Sequence, residues 1–247
     1  MRAQTYLSVF ISLLLTACGQ ADGAASSLIP RPAEILSTDF AVMSCSEKEL
    51  PAECAFIMAG GKRVIFGAPA GIGSGLSEED LRNLDALMLL SLRGEGVEGL
   101  DEVRNASWKA GHGGPLPVAG PFGTADFIGG LNRAFETSDA LIFVEDRPAG
   151  GFDAALLALL PGEKGRQVIV LDTGDLQVTR IESGSSRAIY LVDYAEHRVL
   201  LHPCGAGPVD AFMDGVDFAL TCETGWEFEA PHFVMRQEAD MAESAPE

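Results

Sequence analysis

From Thr38 onward, apolar residues fall in short runs separated by small and polar ones, a pattern of strands punctuated by turns. "FAVMSC" (residues 40–45) predicts a first strand. "CAFIMAGGKRVIFG" predicts a hairpin turning at Ala59-Gly60-Gly61-Lys62, because paired glycines accept the backbone angles of a tight turn. "SEEDLRNLDALMLL" opens with Ser77 as an N-cap and Asp80 at the third position after it, which predicts a short helix followed by a strand over Ala86–Leu90. "LLSLRGEGVEGL" then runs from an apolar stretch into a glycine-rich turn ahead of the helical "DEVRNASW". "PLPVAGPFGTADFIGGLNRAF" reads as a strand, a Pro/Gly loop and a helix capped by Thr124.

The second half repeats the theme. "QVIVLDTGDLQVTRIES" predicts two strands around a turn at Asp172–Asp175, and "RAIYLVDYAEHRVLLHPCG" a hairpin around Ala195-Glu196-His197. "DAFMDGVDFALTCE" predicts a helical turn and a buried strand. Each half alternates meander strands with strand–helix units, which predicts an α+β fold, an αββα sandwich of mixed sheets flanked by helices.

The chain has 247 residues, enough for one large core, and 47% of them are hydrophobic. Its 17 Lys+Arg against 36 Asp+Glu leave a net charge of -19. Phosphate contacts supply most nucleic-acid affinity, so a surface this acidic argues against nucleic acid as a partner. With 7% aromatic residues, stacking platforms are scarce as well.

The first twenty residues, "MRAQTYLSVFISLLLTACGQ", change the compartment. Arg2 precedes an apolar run, Tyr6 to Leu15, that is too short for a permanent membrane span. Leu15-Thr16-Ala17-Cys18 resembles the lipobox of bacterial lipoproteins, which implies a signal peptide over 1–17, lipidation of Cys18 and a membrane partner through that anchor. Gly19 in place of aspartate favours the outer membrane, with the protein facing the periplasm. Residues 18–37, rich in small and polar side chains, are expected to form a tether, 38–230 the folded domain and 231–247 a polar tail. Export leaves Cys45, Cys54, Cys204 and Cys222 in an oxidising compartment. They allow three pairings, of which the local one joins Cys45 to Cys54 and Cys204 to Cys222.

"MAGGKRVIFGAPAGIGSGL", "ALMLLSLRGEGVEGL", "AGHGGPLPVAGPFGT", "LQVTRIESG" and "YLVDYAEHRVLLHPCG", in that order, resemble the metallo-β-lactamase superfamily, in its ribonuclease Z-like branch. The resemblance spans Thr38 to Glu223, and "PLPVAGPFGT" is its strongest piece. It implies the αββα sandwich of that superfamily. The family motif T-H-x-H-x-D-H loads two metal ions that activate a water molecule. On this chain Leu90 stands at the threonine, Ser91 and Arg93 at the first two histidines, Glu95 at the aspartate and Gly96 at the third histidine. Gly67 falls where the family has an aspartate after its second hairpin strand, Ser183 on a family histidine and Cys204 on the metal-bridging aspartate. The resemblance thus implies a framework without its ligands. Serine hydroxyls hold divalent ions weakly, glycine offers no donor and Arg93 adds a cation.

Two readings of Arg93 and Glu95 stay open: a buried pair in which Arg93 replaces the lost metal charge, or an ordinary surface pair. The expected function is non-catalytic binding or scaffolding of a protein or small molecule, without cofactor. The alternative is a hydrolase of esters or phosphodiesters keeping one zinc ion through His202, Cys204, Cys222 or Glu95. A Cys204–Cys222 disulfide competes with that zinc site. His112 reads as a loop residue, His197 as an exposed turn residue and His232 as part of the tail. Ser74 in "GIGSGL" lacks the elbow and base of a serine hydrolase. Asn105-Ala106-Ser107 is a glycosylation-type triplet.

Overall fold

The hairpin that follows β1 (Phe40–Ser44) sets the frame of the first sheet. Gly60 and Gly61 take φ of 57° and 75°, the left-handed angles a two-residue hairpin turn needs. They join β2 (Ala55–Ala59) to β3 (Lys62–Phe66) in antiparallel register, and β1 pairs with the other edge of β2. Beyond β3 the pairing becomes parallel, and each crossover is helical. α1 (Ile72–Gly75) and α2 (Glu78–Arg82) lead to β4 (Ala86–Met88), with Asp80 N–H donating to the Ser77 Oγ cap at 3.2 Å. α3 (Gly94–Val97) and α4 (Leu100–Ala110) lead to β5 (Leu116–Ala119), and α5 (Thr124–Asp146) leads to β6 (Leu157–Leu159).

The second sheet is an antiparallel meander of β7 (Gln167–Asp172), β8 (Leu176–Glu182), β9 (Ala188–Tyr194) and β10 (His197–Leu201), with β11 (Phe218–Leu220) parallel to β10. The chain then returns as β12 (His232–Met235) to the free edge of β1. This computed structural model describes residues 35–36, 38–45, 52–160, 165–183, 186–208 and 210–226, and the backbone of 232–235. The expected signal peptide over 1–17, Cys18 and most of the expected tether lie outside the described residues. Among the described residues no helix is long and apolar enough to cross a membrane.

Why the early strands read as unbroken apolar runs is clear from the layers. One face of the first sheet, with Phe40, Val42, Ile57 and Phe66, packs on Val178, Tyr190, Val192 and Leu201 of the second. The other face, with Ala41, Met43, Phe56 and Ile65, packs on Leu81, Leu100, Val103 and Ile128 of the helices. A sheet buried on both faces has no polar side to alternate with. The result is an α+β sandwich of two mixed sheets with helices outside, as expected.

Some expectations need correction. The fourth layer is thin: Ile181, Ile189, Leu191 and Leu200 are covered by Phe212, Val216 and their neighbours, a loop with a single 3₁₀ turn at Asp210–Phe212. Four apolar side chains need little cover, and a loop supplies it. The N-cap of α5 is Gly123, at φ 99°, and Thr124 is its first helical residue, its Oγ1 donating to Pro121 O at 2.7 Å. The tight Pro-Phe-Gly loop requires a left-handed residue there, which threonine resists. The expected tail contributes β12, because β1 would otherwise leave an unpaired edge. Within the expected tether, Ile35 packs on the helical side of the core. β4 ends at Met88 rather than Leu90: Leu89 N–H still bonds to Ala119 O of β5, but the Leu89 and Leu90 carbonyls accept from Tyr190 and Ala188 of the second sheet.

One buried ion pair joins the helices. Arg104 of α4 donates from Nη1 to Asp139 Oδ2 at 2.7 Å and from Nη2 to Asp139 Oδ1 at 3.1 Å. It also reaches Asp101 Oδ1 at 2.9 Å and Ala155 O at 2.6 Å, and stacks on the Phe135 ring at 4.8 Å.

Candidate functional site

Residues 89–92 form the seam between the sheets. Leu89 N–H donates to Ala119 O at 2.8 Å, and Tyr190 Oη donates to Leu89 O at 2.9 Å. Ala188 N–H donates to Leu90 O at 2.9 Å, and Ser91 pairs with Arg187 as an antiparallel bridge. Ser91 is buried, with its Oγ accepting from Arg93 N–H at 3.1 Å.

Past Ser91 the chain turns outward. Arg93 is the N-cap of α3 in extended conformation, and its Nε lies 3.1 Å from Glu95 Oε1. The two side chains are 61% and 72% exposed, so of the two open readings the surface pair is the one found. A screened pair of this kind contributes about 0–1 kcal/mol.

Of the positions aligned by the resemblance, Gly67 has no room for a side chain and Gly96 is crowded. Gly67 sits at φ 85°, and a Cβ there would lie 2.1 Å from Glu53 O. At Gly96 a Cβ would lie 3.1 Å from Ser91 Cβ and 3.2 Å from Ser91 O. Ser183 spends its hydroxyl on Arg187 O at 3.1 Å. Cys204 is bonded to Cys222, with Cα atoms 5.1 Å apart, and Cys45 to Cys54 at 5.2 Å, which is the local pairing.

The centre of this region is Glu53, which sequence reasoning passed over. Its carboxylate accepts the Cys204 backbone N–H. Burial pushes its carboxyl above the ordinary value of 4.5. The Cys204 N–H, Arg187 and His202 pull the other way, and Glu95 adds to the rise. Glu53, Glu95, Arg187, His202 and Cys204 therefore share one electrostatic neighbourhood, reached from the loop before β2, the turn after β4, the start of β9 and the end of β10. The Arg187 guanidinium lies over Gly205, where a Cβ would stand 3.4 Å from its Nε. The only signals in the sequence were an acid beside a cysteine at a strand start, "ECAF", and a cation opening "RAIYLVDY".

The ligand atoms of Glu53, Cys204 and Cys222 lie within 4.8 Å of one another. In this grouping Glu53 stands where the alternative zinc triad had His202, and its two sulfurs are joined in the disulfide. His202 instead sets its Nε2 2.8 Å from Gly207 O, in the loop after β10.

The remaining candidates lie elsewhere. His112 links Gly114 O at 2.7 Å and Leu84 O at 2.9 Å, as a loop staple. His197 begins β10 half-buried, 3.6 Å from Asp217 Oδ2, rather than standing exposed in the turn, since its register with Tyr194 draws it into the sheet. Ser74 Oγ donates to Gly71 O at 2.8 Å within its own turn. Ser107 is buried in α4, so the glycosylation-type triplet is helical.

No protein-family model matches the chain, and no curated protein matches it. Solved structures do. The metallo-β-lactamase fold protein YhfI from Bacillus subtilis aligns at 10% identity and a TM-score of 0.45, over 67% of this chain and 61% of that one. The short form of human tRNase Z (ELAC1) aligns at 19% identity and a TM-score of 0.47, over 69% and 71%. A diphosphatase of the PhnP family aligns at 13% identity and 0.44, over 74% and 72%. The chain thus spans about three-fifths of the length of YhfI.

Proposed function

We propose that this is an exported, lipid-anchored protein of the metallo-β-lactamase fold, in a ribonuclease Z-like branch, that has given up the dinuclear metal centre and works by binding a partner rather than by hydrolysis. The observation that carries the reading is the state of Cys204. At the position of the family's metal-bridging aspartate, its sulfur is bonded to Cys222. A disulfide sulfur offers none of the thiolate charge that holds zinc-type ions.

The rest of the donor set agrees. Side chains are excluded at Gly67 and strongly crowded at Gly96, Ser183 is engaged with the backbone, and Arg93 and Glu95 face solvent. These residues do not fit two divalent ions. Two disulfides suit an oxidising compartment, which supports export and the Cys18 anchor at the periplasmic face of the outer membrane. The partner is a protein or small molecule bound in the region of Arg187 and Glu53, and the charge of -19 argues against nucleic acid.

The test is elemental analysis of the oxidised protein, together with a generic phosphodiester assay. Below about a tenth of an equivalent of zinc, manganese, iron or copper, and no turnover, is the expected result. Near-stoichiometric metal with turnover sinks the reading. Lipid labelling that Cys18→Ala abolishes is the expected outcome for the anchor.

A further inference from the structure

We infer that reducing the Cys204–Cys222 disulfide opens a site for one soft divalent ion, held by the two thiolates and the Glu53 carboxylate. The inference rests on the metal-free reading of the oxidised chain and adds a second, redox-set state to it.

Geometry is the first support. The two sulfurs are already joined, and a Glu53 carboxylate oxygen lies within 4.8 Å of both. In a tetrahedral site with metal–sulfur bonds of about 2.3 Å and metal–oxygen bonds of about 2.0–2.2 Å, neighbouring ligand atoms stand roughly 3.5–4 Å apart. Breaking the sulfur–sulfur bond and turning one side chain supplies the difference. The backbones stay in place, because β10 and β11 are paired with Leu201 opposite Leu220, and His202 N–H donates to Leu220 O at 2.8 Å. Glu53 is fixed as well, by the Cys204 N–H on its carboxylate and by covalent attachment to Cys54 of the other disulfide. Among the described residues, this is the one group of three such donors that converges.

Charge is the second support. Two thiolates and a carboxylate carry three negative charges. A divalent ion supplies two positive ones and Arg187, which acts electrostatically on Glu53, supplies the third. The reduced and loaded cluster is therefore neutral. A cation that would oppose a metal site of neutral ligands completes one made of thiolates.

Access is the third. Cys222 is exposed and Cys204 half-buried, so an external dithiol can reach the bond. The chemistry balances. The dithiol gives two electrons and two protons to the disulfide, becomes a disulfide itself and leaves Cys204 and Cys222 as thiols. The ion then displaces two protons as both thiolates bind it. The fourth ligand position stays open to water on the exposed side.

The test uses the full chain in detergent, in oxidised and dithiol-reduced forms, dialysed against zinc or cobalt after the reductant is removed anaerobically. Expected are about one equivalent of zinc in the reduced form, under about a tenth in the oxidised form, and a thiolate charge-transfer band with cobalt. Cys204→Ser/Cys222→Ser, which keeps Cys45 and Cys54, is expected to lose the zinc and the band, and Glu53→Gln to weaken binding by about tenfold or more. Zinc persisting in the double variant overturns the site. So does a reduced chain that stays folded and takes up no metal, or one that no longer folds, and neither result touches the metal-free reading of the oxidised form. Stoichiometric metal in the oxidised chain overturns that reading itself.

Discussion

The backbone N–H of Cys204 donates to the carboxylate of Glu53, a residue 151 positions earlier in the chain. Through this bond the end of β10 in the second sheet is tied to the loop before β2 in the first. Glu53 thereby stands between both disulfides: it precedes Cys54, bonded to Cys45, and holds Cys204, bonded to Cys222. A carboxylate accepting a backbone N–H is a charge-assisted bond, which explains how a half-buried acid is kept at this position.

Glu53 gives the first prediction. Its folded pKa is raised above 4.5, chiefly by burial, so the folded chain holds this proton more tightly than the unfolded one. The associated stability is present below pH 4.5 and is lost as pH rises through the folded value. Glu53→Gln keeps an acceptor for the Cys204 N–H and removes the titration. Melting curves from pH 4 upward are expected to show wild type losing stability relative to Glu53→Gln across this window. Parallel curves would remove Glu53 as the source.

Restoring the family's aspartate at Gly67 is expected to fail. The backbone there has φ 85° and a Cβ would overlap Glu53 O at 2.1 Å. Strain at positive φ and displacement of a neighbouring backbone carbonyl together cost about 3 kcal/mol or more. For a chain of this size that is a drop in Tm of roughly 6–12 °C. Gly67→Asp should bind no more zinc than wild type. A variant that melts like wild type and gains metal would show that the family site is still open.

What the sequence disclosed and what it hid separate along a physical line. The Gly60-Gly61 turn, the Ser77 cap and the strand–helix order depend on neighbours within a few residues, and each was legible. The local disulfide pairing was legible too, as one of three. Glu53 and Arg187 were not, because their importance comes from contacts across the two sheets and neither breaks a local pattern. Arg93 and Glu95 illustrate the same limit, since two residues' spacing is the same for a buried and an exposed pair. The role of residues 232–235 was hidden by their polar surroundings in the sequence, whereas β1's need for a partner on its free edge is visible only once the sheet is assembled.

The two disulfides should differ in lability. Cys54 is fully buried, whereas Cys222 is exposed. Alkylation after timed exposure to a dithiol is expected to mark Cys204 and Cys222 about tenfold or more faster than Cys45 and Cys54. With sequence separations of 18 and 9, each bridge restricts the unfolded chain by about 3 kcal/mol. Removing Cys204–Cys222 alone should therefore lower Tm by roughly 6–12 °C. Equal labelling rates would contradict the exposure difference.

The pair of Arg104 and Asp139 supports the outer half of α5. Past Ile128, Asp139 is the one buried residue of that helix, while Leu141 and Val144 are 59% and 71% exposed. The apolar side chains of residues 130–146 are at most partly buried, Leu131 on the core and Ile142 on Trp108 among them, so Arg104–Asp139 is the fully buried contact of this segment. Arg104 meets Asp139 through two bonds, and its remaining donors go to Asp101 and Ala155, so the guanidinium is well satisfied where it is 2% exposed. Removing one partner of such a pair leaves a buried charge, at a cost of about 3–5 kcal/mol. Asp139→Ala is thus expected to lower Tm by roughly 6–20 °C and to speed amide exchange first in the second half of α5. Replacing both partners, as Arg104→Met with Asp139→Leu, removes the stranded charge and should recover most of the loss. A single variant that melts like wild type would mean that α5 is held by something other than this pair.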